Sequence, residues 1–275
     1  MVGACLAYLA VLDLTLIGAY ALGQSVVPDA ARGTFGLLAL GVAEAVALAA
    51  VLAVWRLVDR QPVAALGLDP HCAPGRRWLR GALVATLMMG FVVLVGYALI
   101  DGATWDVNSD AAKAGLALVG GLIGFAIQGP AEELLFRGYI LENARHEWGL
   151  RPALVISSLS FSLLHLSNPA YGVLPFVNLV LFGLGTALYR VYVDADQLWG
   201  VFAIHTVWNW LQQVVFGLPN SGLTSTPDTT LFSVTPSAAL PGPLSGGGFG
   251  PEGTLFASLA LLCLIYVSLR RRRQV

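Results

Sequence analysis

The chain has 275 residues, of which 57% are hydrophobic and only 11% charged, with a mean hydropathy of +0.75 and a formal net charge of −1. A soluble domain of this size does not carry that composition, so the lipid bilayer is the solvent to reason with. The net charge itself is uninformative, no nucleic-acid partner is expected, and Cys5, Cys72 and Cys263 suggest neither a disulfide framework nor a CxxC site.

A spanning helix needs ~20 mostly apolar residues to cross a ~30 Å hydrocarbon core, and helices satisfy their own backbone there. Such stretches recur at about 3–24, 33–55, 79–100, 114–142, 152–167, 173–192, 197–216 and 253–269. The first has no basic residue ahead of it and no cleavage site before Gln24, which predicts a retained span rather than a cleaved signal. Asp13 and Glu44 fall in the middle of the first two spans; no basic residue shares their depth, and they read as packing or neutral groups. The fourth span is too long for the bilayer, so its helix should project or kink near Gly129-Pro130. Gly217 to Gly253 is rich in Pro, Gly, Ser and Thr and reads as a long loop.

The expectation is an all-α fold: a polytopic integral membrane helical bundle of about eight transmembrane helices. It forms a single domain, 1–275, with a core at 113–216 and a flexible non-cytoplasmic loop at 217–252. With the N-terminus cytoplasmic, thirteen of the fifteen basic residues fall on cytoplasmic segments, leaving only Arg32 and Lys113 outside. Both termini are therefore expected in the cytoplasm. The bias of fourteen Arg to one Lys suits a GC-rich bacterial genome, hence a multi-pass protein of a bacterial cytoplasmic membrane.

Three polar motifs interrupt the apolar pattern. The first is Glu132-Glu133-x-x-x-Arg137. Intramembrane ionisable groups are costly and mark functional sites by default. Arg137 is four residues from Glu133, on its face, and five from Glu132. That spacing lets Arg137 neutralise Glu133 and leaves Glu132 to face a cavity. The second motif is Phe161-x-x-x-His165, and the third is His205-x-x-x-Asn209, whose two polar side chains share one helix face. Taken singly, the first also suits a structural ion cluster at a helix end, the second a packing histidine, and the third an interhelical hydrogen-bond pair. Together they converge in depth. At ~1.5 Å per residue, Glu132 lies about 20 Å from Arg145, His165 about 21 Å from Arg151, and His205 and Asn209 about 14 and 20 Å from Asp196.

These residues carry a resemblance. Ala-Glu-Glu-Leu-Leu-Phe-Arg-Gly (131–138), Phe-Ser-Leu-Leu-His (161–165) and Gln-Leu-Trp-Gly-Val-Phe-Ala-Ile-His-Thr-Val-Trp-Asn (197–209) look like the CAAX protease and bacteriocin-processing family of intramembrane proteases. The likeness covers roughly 113–216, with Ala-Leu-Gly-Leu (65–68) similar to a segment often seen upstream. It implies a site built from Glu132, His165, His205 and Asn209, with Glu133 and Arg137 supporting. Eukaryotic members cut after a prenylated cysteine, whereas bacterial relatives are tied to peptide maturation, self-immunity or surface-protein processing. The implied substrate is a lipidated or membrane-tethered peptide, and the implied partners are that peptide and membrane lipids.

Peptide hydrolysis needs an activated water and donors for the oxyanion. Glu132 suits the general base, His165 can orient the same water, and His205 with Asn209 can donate to the oxyanion. A rival use of the same atoms is a zinc ion held by Glu132, His165 and His205 with water as fourth ligand. The metal-free geometry is preferred because Asn209 supplies an amide, an uncommon zinc ligand. An inactive membrane scaffold or a proton-coupled transporter would also use a buried polar cluster. Against transport, the chain shows no inverted repeat.

Overall fold

The computed structural model describes residues 32–225 and 229–272, so the first expected span, with Asp13, lies outside the described residues. Helix α1 (Arg32–Ala53) runs into a π-helical turn, Val54–Val58. Helix α2 (Pro74–Gly90) begins on a proline and continues as a π-helical stretch, Phe91–Asp101. Helix α3 (Ala111–Glu133) is capped by Asp110, whose carboxylate accepts from the N–H groups of Ala112 and Lys113 at 3.1 and 3.0 Å. It passes through the π-helical stretch Leu134–Ile140 into α4 (Leu141–Trp148). Then come α5 (Leu150–Leu164), α6 (Val173–Tyr192), α7 (Trp199–Trp210), the single turn α8 (Gly242–Ser245) and α9 (Leu255–Arg272).

The chain is an all-α bundle with one small addition. Strands β1 (Thr104–Val107) and β2 (Phe232–Thr235) pair antiparallel, Thr104 opposite Thr235 and Val107 opposite Phe232. Of the described helices, four are long and apolar enough to cross a membrane: Gly41–Val58, Pro74–Leu99, Ala111–Trp148 and Val173–Tyr192. The expected fifth span is an apolar helix of 15 residues, short of the bilayer thickness. Leu79, Leu83, Leu87 and Leu94 on α2 and its extension, and Leu116, Val119 and Ile123 on α3, point outward; apolar side chains on the outside fit hydrocarbon.

Helix α7 sits at the centre, packed on α2 and α3, while α1 backs α3, α5 lies on α6, and α6 carries α9. Close approach depends on small residues, as in other membrane bundles. The backbone of Gly81 meets that of Gly200, and Gly129 faces the N–H of Thr206, so a Cβ at either would collide with α7.

The disturbance expected at Gly129-Pro130 takes the form of the π-helical stretch four residues on. A widened turn releases carbonyls from the regular ladder, and buried carbonyls need partners. Ser157 Oγ donates to the carbonyl of Phe136 at 2.8 Å, and the guanidinium of Arg190 donates to that of Arg137. Arg190 also pairs with Glu142 at 2.8 Å, so it is a buried structural hub rather than only a marker of topology.

The 217–252 segment, expected as a flexible loop, is folded in its described residues. Leu218 and Phe249 are buried, β2 pairs with β1, Gly222 N–H donates to the carbonyl of Phe249 at 3.1 Å, and the hydroxyl of Tyr97 donates to the carbonyl of Ser245 at 2.8 Å. A Pro- and Gly-rich composition sets which turns the chain can make; burial of its scattered apolar side chains decides whether it is held.

Candidate active site

Glu132 and Glu133 end α3, His165 follows the last residue of α5, and His205 and Asn209 lie on one face of α7. All but Glu133 line one cavity of about 460 Å³, together with Glu44, Gln128, Phe161, Phe182 and Glu252. Ser167, Asn168, Asn220 and Ser221 close its other side. The structure thus brings the four sequence-expected residues together.

The adjacent glutamates part company. Glu133 is fully buried: one oxygen lies 2.9 Å from His205 Nδ1, the other 3.2 Å from Arg137 Nε. Arg137 Nε also reaches Thr186 Oγ1 at 2.9 Å, and its guanidinium carbon lies 4.1 Å from the centroid of the Phe161 ring. That cation–π contact gives a fully buried cation a second favourable surface. Glu132 turns into the cavity. Its Oε1 accepts from Gln128 Nε2, and its buried Oε2 has no hydrogen-bond partner among the described residues.

His165 Nε2 lies 4.0 Å from that unsatisfied oxygen. His165 Nδ1 lies 3.0 Å from the carbonyl of Phe161; a carbonyl only accepts, so Nδ1 carries the proton and Nε2 keeps its lone pair. A gap of 4.0 Å is too long for a direct hydrogen bond and suits one bridging water. His205 Nδ1–H donates to the Glu133 carboxylate, a bond that both the neutral ring and the imidazolium can make, and Nε2 faces the cavity.

Gln128 is a residue that reading the sequence missed. Asn209 Nδ2 donates to Gln128 Oε1 at 3.0 Å, and Gln128 in turn donates to Glu132. A signal was present, since Gln128 lies one helical turn before Glu132 in an apolar run. Glu44, read as a packing or neutral group, is buried on the cavity wall. Glu252 is a third acid there, and its carboxylate accepts from Ser221 N–H at 2.6 Å and from Ser221 Oγ. Burial lifts the Glu252 carboxyl above the ordinary carboxylate range, and the Ser221 N–H opposes the rise.

Among the described residues no three His, Cys, Asp or Glu side chains converge closely enough to hold a metal ion. His205 Nδ1 is held by Glu133, and its Nε2 is left toward the cavity shared with Glu132 and His165.

No curated protein and no solved structure matches the chain. Residues 114–211 match the model of a family described as type II CAAX prenyl endopeptidase Rce1-like. That stretch contains both glutamates, Arg137, both histidines, Asn209 and Gln128. Over these residues the match agrees with the resemblance of the motifs: this stretch of the chain is similar to the Rce1-like family of type II CAAX prenyl endopeptidases.

Proposed function

We propose that this chain is an intramembrane endopeptidase that hydrolyses a peptide bond in a lipidated or membrane-tethered peptide. The observation that carries the reading is the buried, unpartnered Oε2 of Glu132, set 4.0 Å from the lone-pair nitrogen of His165 inside a cavity. An acceptor that faces a cavity and has no protein partner is placed to take a proton from a bound water. In this reading Glu132 is the general base, and His165 Nε2 accepts the second hydrogen of the water and aims its lone pair. The water oxygen attacks the scissile carbonyl. His205, with Nδ1–H held by Glu133, donates from Nε2 to the oxyanion as the imidazolium, and the second N–H of Asn209 joins it. Glu132 then returns the proton to the leaving amine. The family of residues 114–211 supports the reaction class.

The test is cleavage of a farnesylated peptide by purified protein in proteoliposomes. Glu132→Gln keeps the shape and removes the base, so turnover should fall by about 10²–10⁴-fold, the usual worth of general-base catalysis. Full activity in a folded Glu132→Gln protein would refute the assignment. Elemental analysis of the same active preparation addresses the metal. Zinc well below one per chain at full turnover supports the metal-free mechanism; one tightly held zinc that is lost in His205→Ala supports the rival.

A further inference from the structure

A second cavity, of about 490 Å³, lies away from Glu132 on the outside of the bundle between α2, α6 and α9. Its walls are apolar: Val84 and Leu87 from α2 and Phe91 from its π-helical extension face Leu259, Leu264 and Val267 from α9. Both walls end in an arginine at the same end, Arg80 on α2 and Arg271 on α9. Arg80 is held in place by Asp194, Nη2 to Oδ1 at 2.6 Å, an acid that Arg77 approaches as well, so the mouth carries more positive than negative charge. Tyr189, on the α6 wall beside Arg80, has a buried hydroxyl whose proton finds no acceptor among the described residues.

The length of the groove is informative. From Arg80 to Phe91 and from Arg271 to Leu259 the walls run eleven and twelve residues. That is about 16–18 Å at the helical rise. One leaflet of the hydrocarbon core is ~15 Å deep. An apolar slot of one leaflet's depth with cations at one end fits an amphiphile with a negative head and a long apolar tail.

We propose that this groove binds one anionic phospholipid, its phosphate at Arg80 and Arg271 and its acyl chain between α2 and α9. The phosphate lies at the mouth beside the two guanidinium groups and accepts from the Tyr189 hydroxyl, and the chain fills the slot over Ala260 and Cys263. The site does not depend on the protease reading, because none of its lining residues borders the Glu132 cavity.

Native mass spectrometry of the delipidated full-length protein tests it, with phosphatidylglycerol and phosphatidylcholine of identical acyl chains added in equal amounts. One phosphatidylglycerol per chain should be retained at least about fivefold over phosphatidylcholine, and Arg271→Gln should remove about fivefold of that retention, the expected worth of one cation near anionic lipid. Val267→Trp fills the slot from its exposed wall without touching the arginines, and should lower retention of both lipids. Arg56→Gln changes an exposed arginine outside the groove and should leave retention unaltered. Equal retention of the two lipids, full retention in folded Val267→Trp, or a loss in Arg56→Gln equal to that in Arg271→Gln would each overturn the proposal.

Discussion

Glu132 and Glu133 are consecutive, yet one is packed between a cation and an imidazole while the other keeps a bare oxygen on a cavity wall. The difference is made by neighbours four residues away. Arg137 lies one turn after Glu133, and Gln128 lies one turn before Glu132. Gln128 fixes Oε1, so only Oε2 remains for a water. Gln128→Ala should therefore lower kcat by about 10- to 100-fold, from the loss of a hydrogen bond to a charged group worth roughly 1.5–3 kcal/mol. KM should change little, while the melting temperature should fall because Glu132 Oε1 and Asn209 Nδ2 each lose a buried partner; unaltered kcat would reject the relay. Asn209→Ala removes both the anchor of Gln128 and a proposed oxyanion donor. It should cost more, about 2.7–4 kcal/mol of transition-state stabilisation, and the kcat/KM ratio of the two variants measures this.

At the scale of the element, the π-helical stretch Leu134–Ile140 and the loop before α9 do the positioning. The π-helical stretch carries Arg137 beneath Glu133 and over the Phe161 ring, between α3, α5 and α6. Glu133→Gln leaves Arg137 buried without its counter-charge, which should destabilise the fold by about 3–5 kcal/mol. Reversible unfolding in detergent reads this, and a change below about 1 kcal/mol would show that Phe161 and Thr186 suffice for the cation. The loop before α9 brings Glu252 onto Ser221. Its folded carboxyl titrates above the unfolded one because burial disfavours the charge. The folded state therefore holds the proton more tightly, and the stability this contributes is present below the ordinary carboxylate range and lost as pH rises through the folded value. Wild type should lose melting temperature relative to Glu252→Gln as pH rises from the ordinary carboxylate range through the raised folded value. A gap that stays constant over that range would contradict the linkage.

For the whole molecule, charge is sorted by end. Arg77, Arg80, Arg145 and Arg190 form ion pairs with Asp194, Asp196 and Glu142 around one end. The loops that close the Glu132 cavity, 167–168 and 220–223, belong to the other end, with the β1–β2 pair. If the arginine end is cytoplasmic, as the bias of basic residues favours, a cysteine at exposed Ala239 in a background without the native cysteines should react with a membrane-impermeant maleimide from the non-cytoplasmic side only. Labelling from the cytoplasm would invert the orientation.

The sequence by itself determined the solvent, the helical class and the polar positions of the site. Apolar runs of spanning length and the period of the helix are local properties, and buried charge is too costly in lipid to occur without cause. Glu133 and Arg137 could be paired on paper because a helix fixes what lies one turn away. What needed the tertiary structure was everything reached across helices. His205 belongs to Glu133 across a sequence separation of 72, Asn209 to Gln128 across 81, and Ser221 to Glu252 across 31. No periodicity encodes those separations. The Pro- and Gly-rich 217–252 segment reads as slack chain because its composition speaks only of turns. It is held because Phe249, Leu218 and Glu252 find room under it. Glu44 was legible as an acid in a span but not as a cavity wall, since which face of α1 meets α3 depends on how small residues let the two helices approach.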